Sequence, residues 1–255
     1  MNSLPQELFH QIISYLPPDD KESLRSCSLV TKSWTYTSRK RLFEFVGTRP
    51  GNLRPWLDGI SQENVELLGH VRQLTCSQEE LSTVWPMVPA NNTLRHNLRS
   101  LCDLRHFTLS CVPVLLPSRI EVLSVLGLTL SSVTLSHCMV SKSALVALFN
   151  ILPGLKRLCL EQLYYFDFHE QASLPLRSPL KGLHIINRGP GNFLNLLDEL
   201  SELGLCSDEL TLGPIFPSHE WTAFTNHILR AFGAGAKCLR LPHIPSGTCG
   251  LSYSL

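Results

Sequence analysis

The sequence predicts an α+β/α/β protein in which an N-terminal unit of three helices precedes an irregular solenoid of parallel strands alternating with helices. Two observations support this fold class. The first 46 residues carry apolar positions at helical spacing, separated by proline and aspartate breaks. From about residue 68 a short apolar motif recurs, in its C-terminal part every 25 to 29 residues, with helical patterns between its copies.

The first helix is predicted from apolar residues that recur every four positions, namely Leu8, Ile12 and Leu16. This spacing places them in one stripe, with Ile13 beside it. Pro5 is compatible with the first helical turn, where its missing N–H has no helical partner. Two consecutive prolines, Pro17 and Pro18, end the helix.

Two further helices follow. Asp19 and Asp20 are candidate N-caps for the second helix, because a carboxylate accepts hydrogen bonds from unpaired amides in the first turn. Leu24, Cys27 and either Leu29 or Val30 give this helix an apolar side. The third helix is predicted from about Thr31 to Val46, with apolar residues at Trp34, Leu42 and Phe43.

A three-helix unit of this size buries little of its own surface. Any apolar surface that remains is usually covered by a partner or by a neighbouring domain. The unit is therefore either an interaction module or a helical cap on the domain that follows it.

The motif residues favour the first alternative. Leu4-Pro5, then Glu7-Leu8, and a Cys27-Ser28-Leu29-Val30 block before Trp34 resemble the F-box, a helical module of SCF-type ubiquitin ligases. The resemblance implies binding to a Skp-type adaptor and, through it, to a cullin. The adaptor-binding positions that the resemblance implies are Leu4, Pro5, Leu8, Ile12, Leu16, Leu24, Cys27, Val30 and Trp34.

The second pattern reads apolar, two variable, apolar, one variable, apolar, and each copy predicts a short strand. The copies are Val71-Leu74-Cys76, Leu104-Phe107-Leu109, Ile120-Leu123-Val125, Leu155-Leu158-Leu160, Leu180-Leu183-Ile185 and Ala236-Leu239-Leu241, with shorter versions at Val133-Leu135 and Leu210-Leu212. Helical stripes lie between them, with Ser143 and Asn192 as candidate N-caps and Ser77 with Glu80 at capping-box spacing.

This alternation is similar to leucine-rich repeats, in which each unit covers the apolar face of its neighbour. In regular repeats an Asn or Cys after the strand bonds to neighbouring turns, and only Cys138 occupies that position. The repeat is therefore irregular, and an ordinary α/β fold with a parallel sheet is the alternative. An F-box followed by divergent leucine-rich repeats is also similar to many fungal F-box proteins.

The predicted organisation is an F-box at 1–46, a linker with one short helix at 47–66, the repeat domain at 67–242 and a disordered tail at 243–255. The tail is expected to be disordered because it holds few apolar residues among turn formers.

The composition argues against several classes of protein. A net charge of +1 indicates no general attraction to nucleic acid or membranes. No apolar run reaches transmembrane length, and the N-terminus lacks a signal-peptide pattern. Nine scattered cysteines indicate reduced thiols rather than a disulfide framework, so a cytoplasmic or nuclear location is expected.

No catalytic, metal or cofactor motif is apparent. CxxC pairs, HExxH and a nucleophile elbow are missing, and Gly189-Pro190-Gly191 lacks the residues of a phosphate loop. The expected function is therefore a non-enzymatic substrate receptor, which docks on a Skp-type adaptor and presents an unknown target protein for ubiquitination. The alternatives are an interaction scaffold whose F-box is not engaged in a ligase, and an α/β enzyme.

Overall fold

The computed structural model describes residues 5–17, 20–47, 53–59, 62–77, 80, 92–117, 120, 122–126, 129–165, 180–186, 193–202, 204–213, 219–232 and 235–241. A helical N-terminal region is followed by a parallel sheet with helices. Several residues that entered the sequence predictions lie outside the described residues: Leu4, Pro18, Asp19, Gly189-Pro190-Gly191, Asn192 and the tail at 243–255.

Three helices form the N-terminal region: α1 (Gln6–Tyr15), α2 (Lys21–Ser28) and α3 (Lys32–Glu44). Asp20 caps α2 as predicted, since its carboxylate accepts a hydrogen bond from the Ser23 amide at 3.1 Å. The rings of Phe9 and Trp34 lie 5.0 Å apart and pack α1 against α3. Ile13 and Leu24 are buried and form the interior of this small unit.

The third helix ends two residues before its predicted end. Phe45 adopts an extended conformation, and Phe45–Gly47 form strand β1, which pairs in parallel with β2 (Gln73–Ser77). Apolar periodicity does not reveal this boundary, because the strand is fixed by pairing with residues 28 positions away. The helical region thus runs directly into the sheet.

Within the described residues, eight strands form one parallel sheet, and each pairs with strands close to it in the chain. The further strands of this sheet are β3 (His106–Ser110), β4 (Ser132–Ser136), β6 (Arg157–Glu161), β8 (Leu180–Ile186), β9 (Ser207–Leu212) and β10 (Cys238–Arg240). From β1 onward, register partners are separated by 28, 33, 26, 25, 25, 27 and 29 residues.

From β2 to β9, the strands of this sheet send apolar side chains into the core, whereas β10 is exposed. The inward row of directly paired residues is Leu74, Phe107, Val133, Leu158, Leu183 and Leu210, all of them buried. The described helices of this region are α4 (Leu53–Asp58), α5 (Asn92–Arg99), α6 (Lys142–Ile151), α7 (Phe193–Glu202) and α8 (His219–Phe232). Their apolar residues, such as Leu57, Leu148 and Leu197, join the same core.

The exits from three neighbouring strands share one turn. Cys111, His137 and Gln162 follow β3, β4 and β6, and all have a positive φ near 50°. This left-handed conformation is uncommon for residues other than glycine, so its repetition marks one turn built three times. Beyond the turn, β5 (Met139–Val140) and β7 (Tyr164–Tyr165) form a second, two-stranded parallel ladder.

The structure confirms most predicted strands and corrects one. Ile120-Leu123-Val125 was expected to form a strand, but Val122–Val125 form a 3-10 turn. The Ser131 and Ser132 amides donate directly to the Arg105 carbonyl, so β3 and β4 are neighbours and leave no room between them. Ile120 and Leu123 are nevertheless buried, and their apolar spacing therefore reflects the core rather than a strand.

Of two capping predictions, one changes in detail and the other agrees with the structure. Ser141, not Ser143, caps α6 by accepting a hydrogen bond from the Ala144 amide at 3.2 Å. Ser143 lies inside the helix, where its hydroxyl contacts that of Ser141 at 2.9 Å. At the predicted capping box, the Glu80 carboxylate accepts from the Ser77 amide at 2.8 Å, which is the reach of an N3 glutamate back to an N-cap.

Candidate functional site: exposed faces of the helical region and the sheet

Helix α1 carries an apolar stripe that the described part of the chain leaves partly exposed. Leu8 and Ile12 are each 44% exposed, and Tyr15, one turn further on, is 78% exposed. Ile13, about 100° further around the helix than Ile12, is buried. Because the interior position is taken by Ile13, the stripe of Leu8 and Ile12 remains free for a partner.

The connection between α2 and α3 presents two more apolar side chains. Leu29 is 85% exposed and Val30 is 60% exposed. Their amides donate to the carbonyls of Ser26 and Cys27, and the Thr35 hydroxyl donates to the Ser28 carbonyl at 2.8 Å. These bonds hold the connection in one conformation, so the two exposed side chains are displayed on an ordered turn.

The nine residues assigned to adaptor binding from the sequence fall into four groups. Pro5, Leu8, Ile12 and Val30 are exposed, whereas Leu16, Cys27 and Trp34 are partly buried. Leu24 is completely buried, so in this conformation its side chain supports α2 from inside and offers no surface to a partner. Leu4 lies outside the described residues.

The structure adds two exposed residues that the sequence assignment omitted, Tyr15 and Leu29. Tyr15 follows Ile12 by three positions, so extending the helical stripe by one step would have found it. Leu29 had been considered for the apolar side of α2, but it lies just past the helix end, where apolar spacing no longer reports on burial.

The geometry of this helical region agrees with the family comparison. A model of F-box-like domains matches residues 1–43. The F-box-like domain therefore comprises the three helices and their exposed apolar residues, and such domains are typical of protein-interaction adaptors. A search of curated proteins finds none that matches the chain.

The outward face of the sheet is the second exposed surface, and its two halves differ. On β2, β3 and β4 it is built mainly from small hydroxyl residues: Thr75, Ser77, Thr108, Ser110, Ser132, Thr134 and Ser136. On the following strands it carries Arg157, Cys159, Glu161, His184 and Glu209. The face therefore changes from uncharged to charged along the sheet.

Cys159 and His184 are direct register partners on this face, but they do not form a reactive pair. Burial, and secondarily the negative charge of Glu161, raises the pKa of the Cys159 thiol to about 11. Partial burial lowers the pKa of His184, although Glu161 opposes this effect. A nucleophilic cysteine needs a lowered pKa, so this thiol is protonated and unreactive near neutral pH.

A cleft of about 420 Å³ lies where the F-box-like domain meets the sheet. It is lined by Glu44, Phe45, Arg72, Gln73, Asp103, Arg105 and His106. The Glu44 carboxylate pairs with Arg41 and, at 3.1 Å, with Arg72. Partial burial, followed by the positive charge of Arg157, lowers the pKa of His106. The cleft is thus polar and contains charges of both signs.

Among the described residues, no group of three or more His, Cys, Asp or Glu side chains is arranged to hold a metal ion. Within the same residues, no helix has the length and apolar character needed to cross a membrane.

Proposed function

We propose that this chain is the substrate-receptor subunit of an SCF-type ubiquitin ligase. In this role the F-box-like domain docks on a Skp-type adaptor, which links it to a cullin, and the sheet holds a target protein for ubiquitination. The observation that carries the proposal is the uncovered apolar stripe of Leu8 and Ile12 within the segment that matches F-box-like domains.

The stripe suits helix packing against a partner. Burying one large apolar side chain contributes about 1.5–3 kcal/mol, although Leu8 and Ile12 are already half buried and gain less than this. Leu29 and Val30, on the ordered turn, supply further apolar area. An interface of this kind has an apolar centre, where a few large side chains dominate the binding energy.

The sheet region is proposed to be a divergent leucine-rich-repeat solenoid. Three observations support this assignment: parallel strands that pair in chain order, steps of 25 to 33 residues, and a turn repeated after three strands. The buried Cys138 thiol also lies 3.6 Å from the Leu109 carbonyl of the neighbouring unit, as expected for a residue that links adjacent turns. An ordinary doubly wound sheet would instead reverse its strand order.

The test is co-expression of the full chain with a Skp-type adaptor, followed by affinity capture. The double variant Leu8→Asp/Ile12→Asp should lose adaptor binding, because it places two charges in an apolar interface. Tyr164→Asp is the control, since Tyr164 is a large apolar side chain that is 65% exposed but lies on β7 of the sheet region. Retention of the adaptor by the double variant would refute the docking mode.

Ligase assembly is a separate outcome of the same experiment. Recovery of a cullin together with the adaptor would support the receptor role. Recovery of the adaptor without a cullin, under conditions where a known receptor recruits both, would favour the scaffold alternative. Action in the cytoplasm or nucleus is part of this proposal and is supported by the free, exposed thiols of Cys102, Cys111 and Cys206.

A further inference from the structure

A backbone ladder runs along the amino edge of the sheet through five residues at one register position. They are Arg72, Arg105, Ser131 and Lys156, which immediately precede β2, β3, β4 and β6, and Lys181, the second residue of β8. The amide of each of the last four donates to the carbonyl of the residue before it in this series, at 2.7 to 3.1 Å. This repeated bond holds the five residues in one line across neighbouring strands.

Four of the five residues in this line are cationic, and Arg157 lies directly beside Lys156. Arg72, Arg105, Lys156, Arg157 and Lys181, which together we call the basic edge, are all exposed. Arg72 pairs with the carboxylate of Glu44. Among the described residues, none forms an ion pair with Arg105, Lys156, Arg157 or Lys181.

Among the described residues, acidic groups lie at both ends of the line rather than beside its centre. At one end, Glu44 precedes β1, and Asp103 lines the cleft with Arg72 and Arg105. At the other end, Asp208 and Glu209 are already paired with Lys237 and Arg240. The chain as a whole has a net charge of +1, so the basic edge is a local concentration of charge and not a general property of the surface.

The dimensions of the basic edge fit an extended chain. Neighbouring strands are about 4.8 Å apart, so the four steps from Arg72 to Lys181 span roughly 19 Å. An extended polypeptide rises about 3.3 Å per residue, and roughly six residues therefore cover this distance. The 420 Å³ cleft at the Arg72 and Arg105 end gives such a segment a recess to enter.

We propose that the basic edge binds an extended, carboxylate-rich segment of a target protein. This inference assigns a chemical class to the target in the receptor role proposed above, and therefore rests on that role. A nucleic acid is the less suitable occupant, because the cations form one narrow line with acidic ends and the chain has a pI of about 7.6.

The test measures fluorescence anisotropy of a labelled 12-residue peptide of alternating Glu and Ser with the full chain, without adaptor. Its outcome is therefore independent of adaptor docking. The same peptide with Gln in place of Glu, and a labelled single-stranded 12-mer oligonucleotide, are the comparison probes. The Glu peptide should bind and should weaken about tenfold between roughly 50 and 200 mM salt, since the contacts are exposed ion pairs.

The deciding variant is Arg105→Gln/Lys156→Gln/Lys181→Gln, which should reduce affinity for the Glu peptide by about tenfold or more. The control variant, Lys32→Gln/Arg39→Gln/Lys40→Gln, removes the same charge from exposed positions on α3. It should change the affinity for the Glu peptide by less than about twofold. Circular dichroism tests whether both variants fold. If the basic-edge variant does not fold, the single change Lys156→Glu takes its place. Equal loss in both variants, equal binding of the Gln peptide, or tighter binding of the oligonucleotide would overturn the inference.

Discussion

Glu44 and Arg72 are bonded twice, once through the backbone and once through their side chains. The Arg72 amide donates to the Glu44 carbonyl at 3.0 Å, and the Arg72 guanidinium meets the Glu44 carboxylate at 3.1 Å. Glu44 is the last residue of α3, whereas Arg72 immediately precedes β2. In addition, the Lys21 ammonium donates to the Phe45 carbonyl at 3.2 Å. These contacts join the F-box-like domain to the sheet.

Glu44→Gln should lower the free energy of unfolding by about 1–2 kcal/mol, because Glu44 is mostly buried and pairs with both Arg41 and Arg72. Asp58→Asn is the control, since its ion pair with Arg54 is about half exposed and should contribute less than about 0.5 kcal/mol. Urea unfolding of both variants provides the comparison. Equal stability losses would contradict a structural role for the Glu44 contacts.

Leu24→Ala should lower the free energy of unfolding by about 2–5 kcal/mol, because Leu24 is completely buried inside the F-box-like domain. Leu29→Ala should change it by less than about 0.5 kcal/mol, because Leu29 is 85% exposed. The two changes remove the same atoms five residues apart, so thermal or urea unfolding compares burial alone. A destabilising Leu29→Ala would show that the turn residue packs inside.

The cysteines should differ in their reaction with iodoacetamide at pH 8. Burial raises the pKa of Cys138 to about 11 and that of Cys76 well above its usual value. Both thiols therefore remain protonated and enclosed, while the exposed Cys102 and Cys206 react. Mass spectrometry after a short reaction time measures the labelling of each cysteine. All four cysteines should react when the protein is unfolded in denaturant. Rapid labelling of native Cys138 would contradict its buried position.

The chain without its partner should self-associate, because Leu8, Ile12 and Tyr15 form an uncovered apolar stripe. Light scattering should show a mixture of sizes for the chain alone and one size after adaptor is added. Ile12→Asp should also reduce self-association, since it interrupts the stripe with a charge. A wild-type chain that is as monodisperse as this variant would count against the stripe as the cause.

The sequence predicted the strands and caps whose residues act within their own short segment. The strand motif around Leu158 and the cap at Asp20 are examples, since their side-chain chemistry acts within a few residues. Strand β1 was missed because three residues after a helix carry no period of their own. The segment from Ile120 to Val125 was predicted to be a strand because its apolar residues follow the strand motif. That spacing reflects which side chains are buried, and the backbone of Val122–Val125 forms a 3-10 helix instead.

The candidate site was predictable to a similar degree. The F-box resemblance identified the N-terminal segment as the interaction module, and the helical period placed Leu8 and Ile12 in one apolar stripe. The period alone does not show that Ile12 is exposed and Ile13 is buried, because the two lie about 100° apart on the same apolar side of the helix. The basic edge was not apparent in the sequence at all, since the successive ladder positions that carry it are 25 to 33 residues apart and meet only through strand register.

Hydrogen exchange of the full chain, with and without a Skp-type adaptor, tests the central claim most directly. Docking through the F-box-like domain predicts slower exchange over residues 7–16 and 26–34 in the complex. It also predicts unchanged exchange in strands β4, β6 and β8, which remain available to a target. Slower exchange in those strands with no change in α1, or no complex at all, would contradict the proposed function.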